Sequence, residues 1–406
     1  MGSVCSVNQY KLLIGELSNL PNRDRKLFQL SKFVIENTDP VVGKIDQTLG
    51  IKVLDTDTFS YQGSIECSSN NQSKKDESVS CNDVHIATNQ NLNVISTFSF
   101  DLHNGDVKSL FYILLTDRPY YYSQTFSQWE NLLRYSSLCP PICCQRDKEV
   151  IYLLPVDNFP DFINNYLIHL ESYADTYNFF SLIKTFLEAF FDGYEVTLLH
   201  GVNVVQCNWK IKTRLHHVTQ KKQNYIGDFH KCLRKVIPRD AFCLVGITWT
   251  DFYPSDKLNF VLGEANFFSR TAGVCFGRYE PKTYDPSTHQ DITQLDWKIM
   301  WRLLKVLSHE ICHLFGLQHC WYFQCAMNES NSMNMAASQP LFLCPVCLRK
   351  LQHTMQFDIL SRYKKLLRFF VDLYEKYPAS VFKHSVIWLE QCIVFIESNE
   401  DSSLVS

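Results

Sequence analysis

The 406-residue sequence has no run approaching the roughly eighteen uninterrupted apolar residues that a membrane-crossing helix needs. Its nearest candidate, Val386 to Ile396, is short and carries Glu390 and Gln391. The start, Met1-Gly2-Ser3-Val4-Cys5-Ser6, lacks the apolar core of a secretory signal. Charge of one sign is also missing: the net charge is −3, which gives no reason to expect a nucleic-acid partner. Together these absences imply an intracellular, cytoplasmic chain in a reducing compartment. Its sixteen cysteines are then thiols or metal ligands before they are disulfides.

The composition is 46% hydrophobic and 14% aromatic, enough to bury a sizeable core in one large domain with extensions or in two domains. The same N-terminus fits an N-myristoylation pattern, with Gly2 as the acceptor and Ser6 in register, and Cys5 offers a second acylation point. Two chains are about what stable membrane anchoring takes. A six-residue match is easily met by chance, however, and no polybasic run follows it. An ordinary N-terminus is therefore the first reading and lipidation of Gly2 and Cys5 the second.

Organisation emerges along the chain. Residues 67–93 are rich in Ser, Asn, Gln, Lys and Asp and bury too little to offset their ordering entropy, so they read as a flexible insert in an N-terminal extension spanning 1–140. Cys139-Pro140-Pro141-Ile142-Cys143-Cys144 reads as a proline-rich turn with incidental thiols. Within 141–380, Val150 to Leu154 predicts a buried strand closed by Pro155, and residues 160–192 a helix. Tyr194 to His200 predicts a strand, the region of Asp228 to Val236 a helix, and the continuous apolar run Phe242 to Thr248 a strand covered on both faces. Leu258 to Ala265 and Gly273 to Tyr279 read as further strands of one sheet. This alternation implies an α/β layer fold. Ile359 to Tyr374 predicts an amphipathic helix whose Lys and Arg form a solvated face, and 381–406 a last helix with a disordered tail.

Chemistry concentrates in one segment. A helix predicted to open at Asp291, with Gln294 as its capping partner, carries Ile292, Leu295, Ile299, Leu303 and Val306 as a core-facing stripe. His309 and His313, four residues apart, then share one face and can hold one ion between their imidazoles. Glu310 sits beside the first ligand, able to reach a water on the ion without binding the ion itself. Gly316 ends the helix through a left-handed turn that can bring His319 round as the third ligand, leaving the fourth position open. Immediately after come Cys320, Cys325, Cys344 and Cys347. Cys344-Pro345-Val346-Cys347 reads as a zinc knuckle, and four thiolates would close a second, structural site. Met327 fits the methionine turn that floors a three-histidine zinc, with Met333 and Met335 as weaker candidates. Cys312 falls on another face and reads as a packed thiol, while His216, His217 and His353 lack ligand spacing.

The combined run His309-Glu310-x-x-His313-x-x-Gly316-x-x-His319-Cys320, then Cys325-x-Met327 and Cys344-x-x-Cys347, resembles the archaemetzincins. So do Asp240 to Thr248, Asp251-Phe252-Tyr253-Pro254 and Cys347 to Gln352, and the likeness covers roughly 145 to 375. The resemblance implies a metzincin-like zincin fold of the α/β (α+β) class: a mixed twisted sheet over an active-site helix, with a C-terminal four-cysteine zinc subsite and helices. It implies two zinc ions, one catalytic on His309, His313 and His319 with Glu310 as general base, and one structural on Cys320, Cys325, Cys344 and Cys347. It further implies a peptide or protein substrate and aminopeptidase-like cleavage of small peptides. By the same likeness an edge strand within Leu258 to Tyr279 would pair with extended substrate, and Tyr279 and Arg278 are candidates for stabilising the oxyanion. A zinc-stabilised interaction module and a zinc hydrolase of non-peptide amides or esters stand as alternatives. The carboxylate of Glu310 speaks against the first, because a purely structural site has no use for it.

Overall fold

In the computed structural model, the residues described are 13–36, 110–111, 123–138, 149–217, 219–278, 294–330 and 339–399. The insert at 67–93, Gly2, Cys5, Asp291, Tyr279, Met333 and Met335, the cysteines at 139, 143 and 144, and the C-terminal tail lie outside them.

The apolar run Ala241–Thr248 is buried at every position, so it takes the centre of the molecule as strand β7. The elements before it are α1 (Asn22–Glu36), α2 (Phe126–Leu138), β1 (Val150–Val156), α3 (Asp161–Asn164), β2 (Leu167–Leu170) and β3 (Asp175–Asn178). They continue with α4 (Phe179–Phe190), β4 (Glu195–Leu198), β5 (Thr213–Leu215), β6 (Lys222–Tyr225) and α5 (Ile226–Val236). After β7 come β8 (Asp251–Tyr253), β9 (Gly263–Asn266), β10 (Thr271–Cys275), α6 (Trp297–Leu314), α7 (Pro345–Met355), α8 (Ile359–Lys376) and α9 (Ser380–Ser398).

The main sheet has five strands in the order β4-β1-β7-β10-β9. Its first four strands run parallel; α4 lies in the connection from β1 to β4 and α5 in that from β4 to β7, whereas the chain passes from β7 to β10 through β8 and β9, and β9 returns antiparallel along β10 at the outer edge of the described sheet. That is a mixed α/β sheet, as the sequence implied. A three-stranded sheet β5-β6-β8 and the hairpin β2-β3 complete the strand set of the described residues.

Two local expectations fail for identifiable reasons. Residues 160–192 are not one helix, because Leu167-Ile168-His169-Leu170 alternates exposed and buried with a period of two, and Ala174 turns left-handed before the hairpin closes. The helix begins only at Phe179, capped by reciprocal side-chain bonds between Asn178 and Ser181. Nor does β1 stop at Pro155: it runs to Val156 against β7, although pairing with β4 ends at Leu153.

The helix α8 also departs from a fully solvated basic face. Lys364, Lys365 and Arg368 are exposed, but Arg362 is buried, donating from Nε to the Phe190 carbonyl at 2.7 Å and stacking on the Phe190 ring. Its long apolar stem fits a core position that only the guanidinium head makes polar. The core joins both sides of position 140: Leu13, Ile14, Leu27, Phe28, Phe126 and Trp129 belong to the same apolar cluster as the sheet and the helices α6 to α9.

Candidate metal centre

Helix α6 starts at Trp297, later than the expected opening with Gln294 as capping partner: Gln294 lies outside the helix, and the Asp296 side chain caps it by accepting from the Ile299 amide at 2.8 Å. Ile299, Leu303, Leu307, Ile311 and Leu314 form its buried stripe, with Cys312 packed and its thiol pushed up by burial. The helix passes beneath β9 and β10. His309 and His313, spaced by one turn, therefore emerge together near the sheet edge.

Each ring is aimed by a backbone carbonyl. His309 Nδ1 donates to Ala326 O at 2.7 Å and His313 Nδ1 donates to Leu317 O at 2.6 Å. With Nδ1 committed as donor, each neutral ring turns a lone pair inward on Nε2. Burial, reinforced by the neighbouring histidines, lowers the His309 pKa well below its usual value and that of His313 to about 4, so both rings are neutral. The two Nε2 atoms lie 3.0 Å apart, a convergence of lone pairs that a cation resolves. The His319 ring stands 5.4 Å from His309 and 5.0 Å from His313, and one ligand atom from each of the three lies within 4.8 Å of the others. The donor set fits zinc.

Gly316 makes the turn. Its φ of +80° is the left-handed region that glycine accepts without strain, and its amide closes onto His313 O at 2.9 Å while the Leu317 amide reaches Cys312 O.

Glu310 is buried one residue past the first ligand. Burial, with the carboxylate of Glu264 adding to it, pushes its pKa up to about 8, while a hydrogen bond from the Ala265 backbone pulls the other way. A dication among the three histidines acts in the same sense as that bond. The close approach of β9 to Glu310 depends on Gly263, where an added Cβ would stand 2.7 Å from Glu310 Cγ and 2.8 Å from Val306 Cγ1. Gly263→Ala is expected to push strand and carboxylate apart. A shift of about 1 Å at a reacting group can cost about 100-fold, so cleavage should fall by about 10- to 100-fold with zinc content unchanged. Hydrolysis rates and metal analysis on the same preparation check this.

The four cysteines form a separate, closed cluster. Cys320, Cys325, Cys344 and Cys347 are all buried with their sulfurs within 4.8 Å of one another, and Cys320 Sγ lies 3.7 Å from Cys344 Sγ. They are free thiols, and thiolates at about 2.3 Å around a tetrahedral ion would stand about 3.8 Å apart. Hydrogen bonds from Cys325, Cys344 and Cys347 hold the Cys320 thiol well below its usual pKa. Backbone amides of Met327 and Cys344 donate to Cys325 Sγ at 3.4 and 3.2 Å, as they would to a thiolate.

Met327 is wholly buried in the turn between the two clusters, and its carbonyl accepts from the Cys320 amide at 2.8 Å. Asn328 holds that turn. Its Nδ2 donates to Cys320 O and Phe323 O, and its Oδ1 accepts from the Cys325 amide, each within 2.8 Å. Asn328→Ala would strand three buried backbone groups and is expected to cost about 3 kcal/mol, read as a lower urea midpoint at constant slope.

A family model described as Peptidase family M54 matches residues 245–353, which span β7 to α7 and both clusters. Archaemetzincin-2 of Rattus norvegicus is 32% identical over 285 residues, covering 62% of this chain and 76% of that protein. Archaemetzincin-2 of Mus musculus is 34% identical over 250 residues, covering 53% and 69%. The chain belongs to the archaemetzincin family of zinc metallopeptidases. A solved archaemetzincin from Methanopyrus kandleri is similar at 20% identity, covering 52% of this chain and 98% of that one, with a TM-score of 0.37.

In this archaemetzincin the geometry brings together every ligand that spacing singled out, in two groups sharing the His319–Cys320 peptide bond. The guanidinium of Arg278 is buried, paired with Asp251 and lying over the Phe260 ring. Gly263 and Ala265 escaped the sequence reading because their part is played by backbone position, and Glu264 because only the fold brings its carboxylate near Glu310. Asn328 escaped it as well, although an Asn directly after Met327 in a turn is the kind of residue that ties backbone groups together.

Proposed function

We propose that this archaemetzincin hydrolyses peptide bonds in an aminopeptidase-like manner, with one zinc on His309, His313 and His319, a second on Cys320, Cys325, Cys344 and Cys347, and Glu310 as general base. The observation that carries this reading is the buried Glu310 carboxylate beside three convergent imidazoles. A site built only for structure would gain nothing from an acid placed there.

Zinc held by the histidines supplies Lewis-acid polarisation of the scissile carbonyl and acidifies water. The remaining steps belong to the chain. The Glu310 carboxylate takes the proton of the attacking water on an oxygen and delivers it to the departing amine, so no net proton is consumed at the enzyme. The Ala265 amide orients that carboxylate from above. The outer strand β9, antiparallel to β10 and without a second strand partner among the described residues, would offer that edge to an extended substrate, whose backbone would pair with it in β-fashion. That supports the strand Gly263–Asn266 as the substrate rail within the wider Leu258 to Tyr279 region. The four-cysteine ion would be structural, since four thiolates leave no position for water.

The test is a set of short peptides offered with free and with acetylated N-termini. Aminopeptidase-like action releases single N-terminal residues and stops on acetylation. Cleavage of blocked peptides at internal bonds would show an endopeptidase instead, and no cleavage of either set by the zinc-loaded chain would defeat the hydrolytic reading.

A further inference from the structure

The loop that carries His319 is seated in the core by the buried side chains of Phe315, Leu317 and Phe323, and its polar groups are taken in succession by a segment almost 200 residues earlier. Trp129 Nε1 donates to Phe315 O at 3.0 Å, and Gln124 Nε2 donates to Gly316 O at 3.0 Å. The Gln318 amide donates to Gln124 Oε1 at 3.3 Å. The Trp321 amide donates to Ser123 Oγ at 2.7 Å, and the Tyr322 hydroxyl to Ser123 O at 3.0 Å. His319 sits between the residues that Gln124 and Ser123 hold. Leu317, whose carbonyl aims His313, sits between the two backbone groups that Gln124 bridges.

The amide of Gln124 cannot be reversed. Lys350 on α7 donates from Nζ to Gln124 O at 2.6 Å and to Gln124 Oε1 at 3.1 Å, and an ammonium has no acceptor to offer. Oε1 must therefore face Lys350 and the Gln318 amide, which leaves Nε2 as the donor for the Gly316 carbonyl. Ser123, Gln124 and Lys350 are all buried, so water cannot easily substitute for these bonds. Lys350 lies one turn beyond Cys347, which ties the strap to the cysteine cluster as well.

We propose that Gln124, oriented by Lys350, is a positioning residue for the histidine zinc site, fixing both the carbonyl behind His313 and the loop that presents His319. The proposal rests on the assignment of zinc to His309, His313 and His319. Partners that aim metal ligands typically change metal affinity by about 10- to 100-fold when removed.

The experiment uses the full chain as wild type, Gln124→Ala and Gln124→Glu, with zinc content, the kinetics of zinc release to a chelator, and kcat and KM on a short peptide. Gln124→Glu keeps size, packing and the Lys350 contact but replaces the donor facing Gly316 O by an oxygen. It decides the matter even where Gln124→Ala fails to fold. Both variants are expected to release the histidine-held zinc at least about tenfold faster, with release of the cysteine-held ion within about twofold of wild type. The loss of activity should fall in kcat, with KM changed less than about twofold. Ser172→Ala, which removes a hydrogen bond to Asp372 between two residues that belong to neither ligand cluster, serves as the stability control and should leave zinc release unchanged. A folded Gln124→Glu with wild-type zinc release overturns the positioning role and leaves the histidine zinc site standing. A wild-type chain that holds zinc only on its cysteines overturns both.

Discussion

Replacing Glu310 by glutamine is expected to leave the zinc content unchanged and to lower peptide cleavage by about 10²- to 10⁴-fold, the span that a positioned general base commonly supplies. Glutamine has nearly the same shape and still offers an oxygen to the Ala265 amide, so neither packing nor strand placement changes. Only the capacity to accept a proton is lost. Because Glu310 is not a ligand, chelator-accessible zinc should match the wild type. The check is kcat on a short peptide beside metal analysis of the same sample. A variant that cleaves at the wild-type rate removes Glu310 from the chemistry. One that loses zinc makes the carboxylate part of the coordination shell instead.

The second large effect is expected at the cysteine cluster. Cys344→Ala breaks a four-sulfur set in which every member is buried, and the remaining three thiols cannot close a tetrahedron without water entering the core. Structural zinc contributes about 10–16 kcal/mol to small domains that depend on it. Here the cysteines adjoin a large apolar core that also holds the five-stranded sheet and the aromatic side chains, so part of the fold should survive. Loss of one zinc and a fall in Tm of more than about 10 °C are expected. Activity should fall with it, because Cys320 follows His319 directly and the Cys320 amide and carbonyl are both held by the Met327–Asn328 turn. A purely packed thiol would behave differently: its replacement by alanine would cost about 1–2 kcal/mol and leave the zinc content alone.

The parts of this molecule that were legible in its sequence are those where chemistry forces a spacing. Two imidazoles on one ion need a helical turn between them, and reversal of the chain after that helix needs a residue tolerant of positive φ, so His309, His313 and Gly316 declare themselves. The buried strand Ala241–Thr248 is legible for a related reason, because burial on both faces demands an unbroken apolar run. The hairpin at Leu167–Asn178 was not legible within its Phe- and Leu-rich surroundings, where composition favoured a helix and only the short alternation around Ile168 argued otherwise. The basic residues of α8 illustrate another limit. Nothing in the spacing of Arg362, Lys364, Lys365 and Arg368 tells which one will lie against Phe190. Residues that act through their backbone, such as Gly263 and Ala265, or across about half the length of the chain, such as Gln124, leave no local pattern at all.

Zinc per folded chain, measured on the wild type and on the double variant His309→Ala/His313→Ala, tests the two-site arrangement most directly. Two ions in the wild type and one in the variant are expected, the remaining ion resisting chelation and the variant keeping its fold while losing all cleavage. Equal zinc content in the two proteins, or cleavage that persists in the variant, would contradict a catalytic zinc on these histidines.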